Sequence, residues 1–411
     1  MPLSEESISD RAATRRETFV PLHTTDLVDF LSNHPQLRGH EQTEFRHLAS
    51  LILALLHHVY RQRHEELTYI YAPLDPDRDT LLLSVPVAEQ RERLCAELMT
   101  RLADALERAN YHRLSHEAIE RAMSAASQWG VRMQVDFDAL NRIEVYARGN
   151  VTSRKSYRNW RRLFRSQTVD VQLYQRLVVI FRTQPNNRDP RFDSRRLYLR
   201  MFKNIPQQDV DMVLPATRVR MSLWDHSNIV LPTLYAIGTT LWRTLRYAVL
   251  LTVIGVLKTA ALVVLVIIAF LYGLKSMFTY TVNTRRRYHL NVAQNLYYQT
   301  LDNNAGAMLR LLEEGEQQEA CEAVLAYFAA AVILRDSEGL SLSQIDRVCQ
   351  DLVSEATGFR VHFDIEDAAR ALLHLGLIRA CDDQWVSLPL AEANQRLDET
   401  WDRWFNESAV E

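Results

Sequence analysis

The run from Tyr247 to Leu274, YAVLLTVIGVLKTAALVVLVIIAFLYGL, constrains this chain more than any other stretch. Of its 28 residues only Lys258 is charged. A bilayer core is about 30 Å thick and takes roughly 20 apolar residues as helix. The run therefore predicts a membrane segment, flanked by large polar regions. As one helix it would be about 42 Å long at 1.5 Å per residue. It would overshoot the hydrocarbon and hold Lys258 inside it, at about 3 kcal/mol on insertion scales. Positive charge lies on both flanks, at Arg243 and Arg246 before the run and Lys275, Arg285, Arg286 and Arg287 after it. That fits two passes with Lys258 near the far turn, although one tilted span stays open. The segment expected to carry the hairpin or long span is 232–280.

The net charge of −3 conceals a strong partition. Residues 1–147 hold 16 basic and 23 acidic side chains, and 148–200 hold 14 and 3. Residues 201–287 hold 10 and 3, and 288–411 hold 8 and 22. Both outer regions are acidic and the middle is basic. The four cysteines, Cys95, Cys321, Cys349 and Cys381, form no C-x-x-C pair and read as reduced, buried thiols. The N-terminus has no apolar core of a secretory signal.

Hydrophobic spacing then divides the chain. Residues 1–18 are polar and predict a disordered tail. A helical domain follows over 19–128. Phe45, Leu48, Ile52, Leu55, Leu56, Val59 and Tyr60 recur at helical spacing, and so do Leu94, Leu98, Leu102 and Leu106. From Trp129 the period changes to two. Val131, Met133 and Val135 alternate, as do Ile143 and Val145, and Leu173–Phe181, Leu197–Phe202 and Val219–Leu223 read as further strands. This predicts a basic, mainly β domain over 129–231. Residues 281–306 predict a juxtamembrane helix and a turn at Asp302-Asn303-Asn304-Ala305-Gly306. Helices at about 307–313, 317–334, 342–357 and 365–376, then a short hairpin, give an acidic winged-helix-like domain over 307–411. The expected fold class is an α+β membrane protein with these helical, β, transmembrane and winged-helix-like parts.

Several ordered blocks resemble one family. They are YIYAPLDPDRD, VDFDALNRIEVYARG, YQRLVVIF, the stretch Phe202–Pro232, YGLKSMFTY and LYYQTLDNNAG. Together they resemble a family of uncharacterised membrane proteins from bacteria, cyanobacteria and plants, whose animal member is a mitochondrial transmembrane protein. The resemblance covers roughly residues 18–405. It implies a two-pass membrane protein, and no known reaction, cofactor or catalytic residue. The lack of a basic targeting segment suggests a bacterial cytoplasmic membrane, with both soluble regions cytoplasmic.

The basic block carries the strongest functional signal. Arg154, Lys155, Arg158, Arg161, Arg162 and Arg165 surround Tyr157, Trp160 and Phe164. With Arg243, Arg246, Lys275 and Arg285–Arg287 these are the expected contacts to anionic lipid headgroups. Nucleic acid, with cations on phosphate and rings on bases, is the rival. A solvated face, or pairing with the acidic regions, is the plain alternative. Asp209, Asp211, Asp225 and Asp302 invite a hard-cation site, but turn chemistry explains them equally well, and no metal or cofactor is expected. His57-His58 and His64-Glu65-Glu66 lack the H-E-x-x-H order, and no phosphate-cradling or nucleophile-elbow motif is present. The expected role is non-enzymatic, through a bilayer and a protein partner or intramolecular docking of the acidic C-terminal part. A membrane-bound enzyme with a site near 202–232, and a membrane-tethered nucleic-acid binder, are the alternatives. The −14 charge of the C-terminal region opposes phosphate.

Overall fold

The computed structural model describes residues 19–115, 117–119, 132–135, 137–158, 166–185, 191–215, 217–220, 238–239, 242, 275, 297–335, 339–358, 361, 365–381 and 384–407. It divides into two compact units. One is built from Met1–Ser115, Asp138–Gln207 and Leu301–Glu411, the other from His116–Phe137 and Gln208–Thr300.

In the second unit β2 (Arg132–Val135) pairs antiparallel with β6 (Thr217–Arg220), Arg132 opposite Arg220. A short helix, α4 (Val210–Val213), follows a turn at Gln207–Asp209.

The first unit begins with α1 (Thr24–Ser32), α2 (His40–Tyr71) and α3 (Ala88–Arg108). Its five-stranded sheet has the order β1 (His112–Arg113), β3 (Leu140–Arg158), β4 (Ser166–Thr183), β5 (Tyr198–Pro206), β7 (Thr300–Asn303). β3 and β4 pair antiparallel from Leu140↔Thr183 to Arg158↔Ser166, whereas β5 covers β4 only over Leu173–Phe181. Among the described residues the end of the hairpin beyond Leu173 is therefore a two-stranded ribbon. Period-two alternation puts Tyr146, Val178, Ile180, Leu199 and Met201 on one buried face.

α5 (Asn304–Phe328) is the spine of this unit. Its first half, Ala307 to Leu312, packs with that sheet face, with α3 and with the C-terminal half of α2. Its second half, Ala320 to Phe328, packs with α1, the N-terminal half of α2, α6 (Leu342–Thr357), α7 (Ile365–His374) and α8 (Leu390–Glu407). The sequence reading breaks α5 between 313 and 317. The structure carries it through unbroken and ends it in a π-helical turn at Ala329–Ile333. Glu314, Glu316 and Gln317 find partners in Arg148 and Arg176, in His57 and in the Leu22 carbonyl, and Glu313 faces outward, so the helix has no reason to stop there. β8 (Ile378–Cys381) and β9 (Gln384–Ser387) form the small hairpin after α7, and Leu340 bridges to Trp385 beside it. Helix, helix, helix, hairpin is the observed order. Cys95, Cys321 and Cys349 are free and buried, and burial pushes the Cys321 thiol up to about 11.

The membrane expectation is corrected. Among the described residues no helix is long and apolar enough to cross a bilayer. The two longest, α2 and α5, have the length but not the composition. α2 carries Arg61, Arg63, Glu65 and Glu66 in a single stretch, and α5 carries Arg310 and five glutamates. The transmembrane fold class, the multi-pass placement and the bacterial cytoplasmic-membrane location fall with that finding. What the structure shows is an α+β fold with a five-stranded sheet. The run 247–274 on which those expectations rested lies outside the described residues.

Candidate functional site

The two apolar cores meet at a polar waist on α5. Arg310, Glu314, Gln318 and Glu322 stand four apart, so they form one stripe along the helix. Each reaches a different element. Arg310 pairs with Asp302 at 2.8 Å. Glu314 accepts from Arg148 of β3 at 2.7 Å, Arg176 of β4 at 3.1 Å and the Tyr111 hydroxyl at 2.7 Å. Gln318 closes a two-way amide pair with the Val20 backbone, both bonds 3.0 Å, and the Asn110 side chain donates to Glu322 at 2.9 Å. Arg148 is itself buried. It lies over the rings of Tyr111 and Phe19 at 4.9 and 5.1 Å and donates to the Ala109 carbonyl at 3.1 Å. Charge this deep stays ionised only when it is matched, and here each group is met by an opposite charge or a fixed dipole.

One turn around α5 the waist opens into a cleft of about 340 Å³ between α2 and α3. Val59, Leu67, Ala105 and Leu312 give it apolar walls. Glu319 stands behind Tyr60. The buried Tyr60 hydroxyl donates to Glu319 Oε2 at 2.8 Å. Arg63 approaches the same oxygen at 3.5 Å with its guanidinium 4.7 Å over the Tyr60 ring, and Arg108 approaches it at 3.8 Å. At the mouth Arg101 pairs with Glu66 and, at 3.0 Å, with Glu97. Burial, reinforced by the Glu319 charge, pushes the Tyr60 hydroxyl far above its ordinary range, so it is a fixed proton donor. Burial is the largest single influence on Arg108 and works against its charge, but the 3.0 Å bond to Asp104 together with the Asp104 and Glu319 charges outweighs it, and the guanidinium is held more firmly than usual. Gly315 permits the packing of α2 on α5, since a Cβ there would lie 3.3 Å from the Tyr60 oxygen.

The residues singled out from sequence lie elsewhere. Arg154, Lys155 and Arg158 sit on the ribbon end of β3, opposite Asp170, Val169 and Ser166. Trp160, Arg161, Arg162, Arg165, Arg243, Arg246, Arg285, Arg286 and Arg287 lie outside the described residues, and Lys275 is exposed. Asp209 is buried at the turn before α4, Asp211 is on α4, and Asp225 lies outside the described residues. Asp302 is engaged by Arg310. Among the described residues no group of three or more His, Cys, Asp or Glu is placed to hold a metal ion. His57 meets Glu316 at 2.9 Å, and His58 lies 4.8 Å from the Trp404 ring. Sequence reasoning missed Tyr60, Arg63, Arg108, Glu314 and Glu319 as a group. The available signal was the four-residue spacing from Arg310 to Glu322, and carboxylates flanking a helical glycine.

Residues 174–306 match a family model described as a protein of unknown function, DUF3754, so a domain of that type occupies this stretch. It begins in β4, just before Arg176, and ends in the first turn of α5. No solved structure matches the chain.

Proposed function

We propose that this protein acts by binding rather than by chemistry, and that the α2–α3 cleft receives a segment of a partner protein. The observation that carries this reading is the internal matching of the cleft's charges. Arg63 and Arg108 flank Glu319 at 3.5 and 3.8 Å, Arg63 Nη1 by charge alone since it makes no hydrogen bond, while Arg108 also holds Asp104 and Arg101 holds Glu66 and Glu97. A nucleophile or general base needs a group released from such pairing and tuned to its task. Apolar walls with a rim of both signs suit an amphipathic peptide, which finds apolar area inside and charge partners at the edge. Intramolecular docking belongs to the same reading. Glu314, from the acidic C-terminal stretch, takes Arg148 and Arg176 from the basic middle stretch. The wider kinship with bacterial, cyanobacterial, plant and animal relatives, drawn from the ordered sequence blocks, is part of this proposal as well.

Selection of a displayed random-peptide library on the full chain tests it. Enriched peptides should combine apolar residues with charges of both signs. They should lose binding to the double variant Glu66→Arg/Arg101→Glu, which keeps the 66–101 pair, gives up the Arg101–Glu97 pair and reverses the rim pattern. No enrichment, or binding indifferent to that exchange, refutes the reading.

A further inference from the structure

In the α2–α3 cleft the charges are matched but the hydrogen bonds are not. Arg101 at the mouth donates from every nitrogen of its guanidinium, to Glu66 and Glu97. Arg63 and Arg108, which also line the cleft, do not. Arg63 lies over the Tyr60 ring, its Nη1 is sealed 3.5 Å from Glu319 Oε2, and it makes no hydrogen bond. Its Nε and Nη2 are open to solvent and donate to no acceptor among the described residues. Arg108 Nε donates to Asp104 at 3.0 Å. Its Nη1 stops 3.8 Å from the same Glu319 oxygen, and neither Nη1 nor Nη2 donates to an acceptor among the described residues. That oxygen already accepts from the Tyr60 hydroxyl at 2.8 Å.

We infer, resting on the peptide reading of this cleft, that the group its partner presents to Arg63 is a carboxylate, held by the Nε–Nη2 edge. A segment entering the cleft displaces the water on these donors and must bring acceptors in exchange. A guanidinium held over a ring offers its donors in one plane, and the Nε–Nη2 edge matches the two oxygens of a carboxylate. A backbone carbonyl has one oxygen and fills one prong of that fork. Charge points the same way. The lining holds Arg63, Arg101 and Arg108 against Glu66 and Asp104, an excess of one cation. Glu319 offsets that excess from behind Tyr60, but it meets Arg63 through Nη1, on another edge of the guanidinium. The incoming carboxylate and Glu319 are then held apart by a cation that attracts both. Arg108, with two unfilled nitrogens near the same Glu319 oxygen, adds a second positive charge. Its partner Asp104 is 59% exposed, so water screens much of that counter-charge. An Asp or Glu side chain and the free C-terminus of a segment present the same group.

Two displayed libraries of short random peptides test this on the full chain, one with free C-termini and one joined to its carrier at that end. Peptides enriched on the wild type and lost on Glu66→Arg/Arg101→Glu mark the cleft. They should share a carboxylate, and its conversion to the amide should weaken binding about tenfold or more. Enrichment from the free-C-terminus library alone assigns the group to the chain end, and enrichment from both assigns it to a side chain. Arg63→Gln should bring the acid-to-amide affinity ratio close to one, and Arg63→Lys, which keeps the charge and loses the fork, should lower it. The ratio compares two ligands on one protein, so a variant's loss of stability cancels from it. Cleft-bound peptides without a common carboxylate, equal binding of acid and amide, or a ratio that Arg63→Gln leaves intact overturns the inference while the peptide reading stands. Failure of both libraries to enrich a cleft-bound peptide refutes that reading itself, and the inference with it.

Discussion

Neutralising Glu314 is the sharpest test of the waist. Its two oxygens take Arg148 at 2.7 Å, Tyr111 at 2.7 Å and Arg176 at 3.1 Å. The side chains of Arg148 and Glu314 are only 9% and 15% exposed, so water cannot replace the lost charge. Glu314→Gln keeps the shape and still offers an oxygen to Tyr111, but it leaves the Arg148 guanidinium buried without a counter-charge. Removing one partner of a buried ion pair costs about 3–5 kcal/mol. At about 1.36 kcal/mol per decade this is roughly two to three and a half orders of magnitude in an opening equilibrium. Hydrogen exchange across α5 reads that equilibrium locally, without requiring the whole chain to unfold in one step. The α5 amides from Leu311 to Ala323 should exchange faster by that factor. The effect should persist at high salt, since buried pairs are poorly screened. In an Arg148→Met background the same change should cost far less, because the stranded charge is gone. An acceleration below tenfold in the wild-type background, or an equal cost in both backgrounds, would refute the argument that the pair is structurally coupled.

Two further outcomes follow from single residues. Burial holds the Asp75 carboxyl above its ordinary range, and the neighbouring Asp77 charge adds to this against the bond from the Asp77 amide. The folded state then binds a proton more tightly than the unfolded one, so Asp75 makes the protein more stable as pH falls through the raised value and less stable as pH rises through it. Asp75→Asn should stabilise the protein at neutral pH and flatten this part of the pH–stability curve measured by thermal melting; a loss of stability at neutral pH would contradict it. Gly149 holds φ at +66° within β3, and a Cβ there would come within 2.5 Å of the Gln175 side chain. Gly149→Ala should cost about 1–2 kcal/mol from left-handed strain alone, read as loss of exchange protection in β3 and β4; unchanged protection would show that the strand relaxes instead.

Local pattern was legible wherever burial is one-sided. The stripe from Phe45 to Tyr60 gave α2, the leucines from Leu94 to Leu106 gave α3, and the alternations around Met133, Val145, Leu177 and Val219 gave β2, β3, β4 and β6. The last helix, expected near 390–405, is α8 at Leu390–Glu407. Polar positions inside a buried helix were not legible. The stretch at Glu314 and Glu316 read as a break between helices, because a sequence shows a carboxylate's charge but not the arginine or histidine that will meet it. The same blindness hid the candidate site. Tyr60 and Glu319 are 259 residues apart, and nothing local to either announces the other.

By itself the sequence determined the periods of the elements, the partition of charge and the apolar run at 247–274, since each depends on neighbours in the chain. Only the tertiary structure decided that one compact unit is assembled from three separated stretches. It also decided that α5 passes unbroken between two cores with Glu314 and Glu319 matched by cations from distant strands and helices. Such matching depends on distances of a few ångströms between residues hundreds of positions apart, and those distances exist only once the chain has folded.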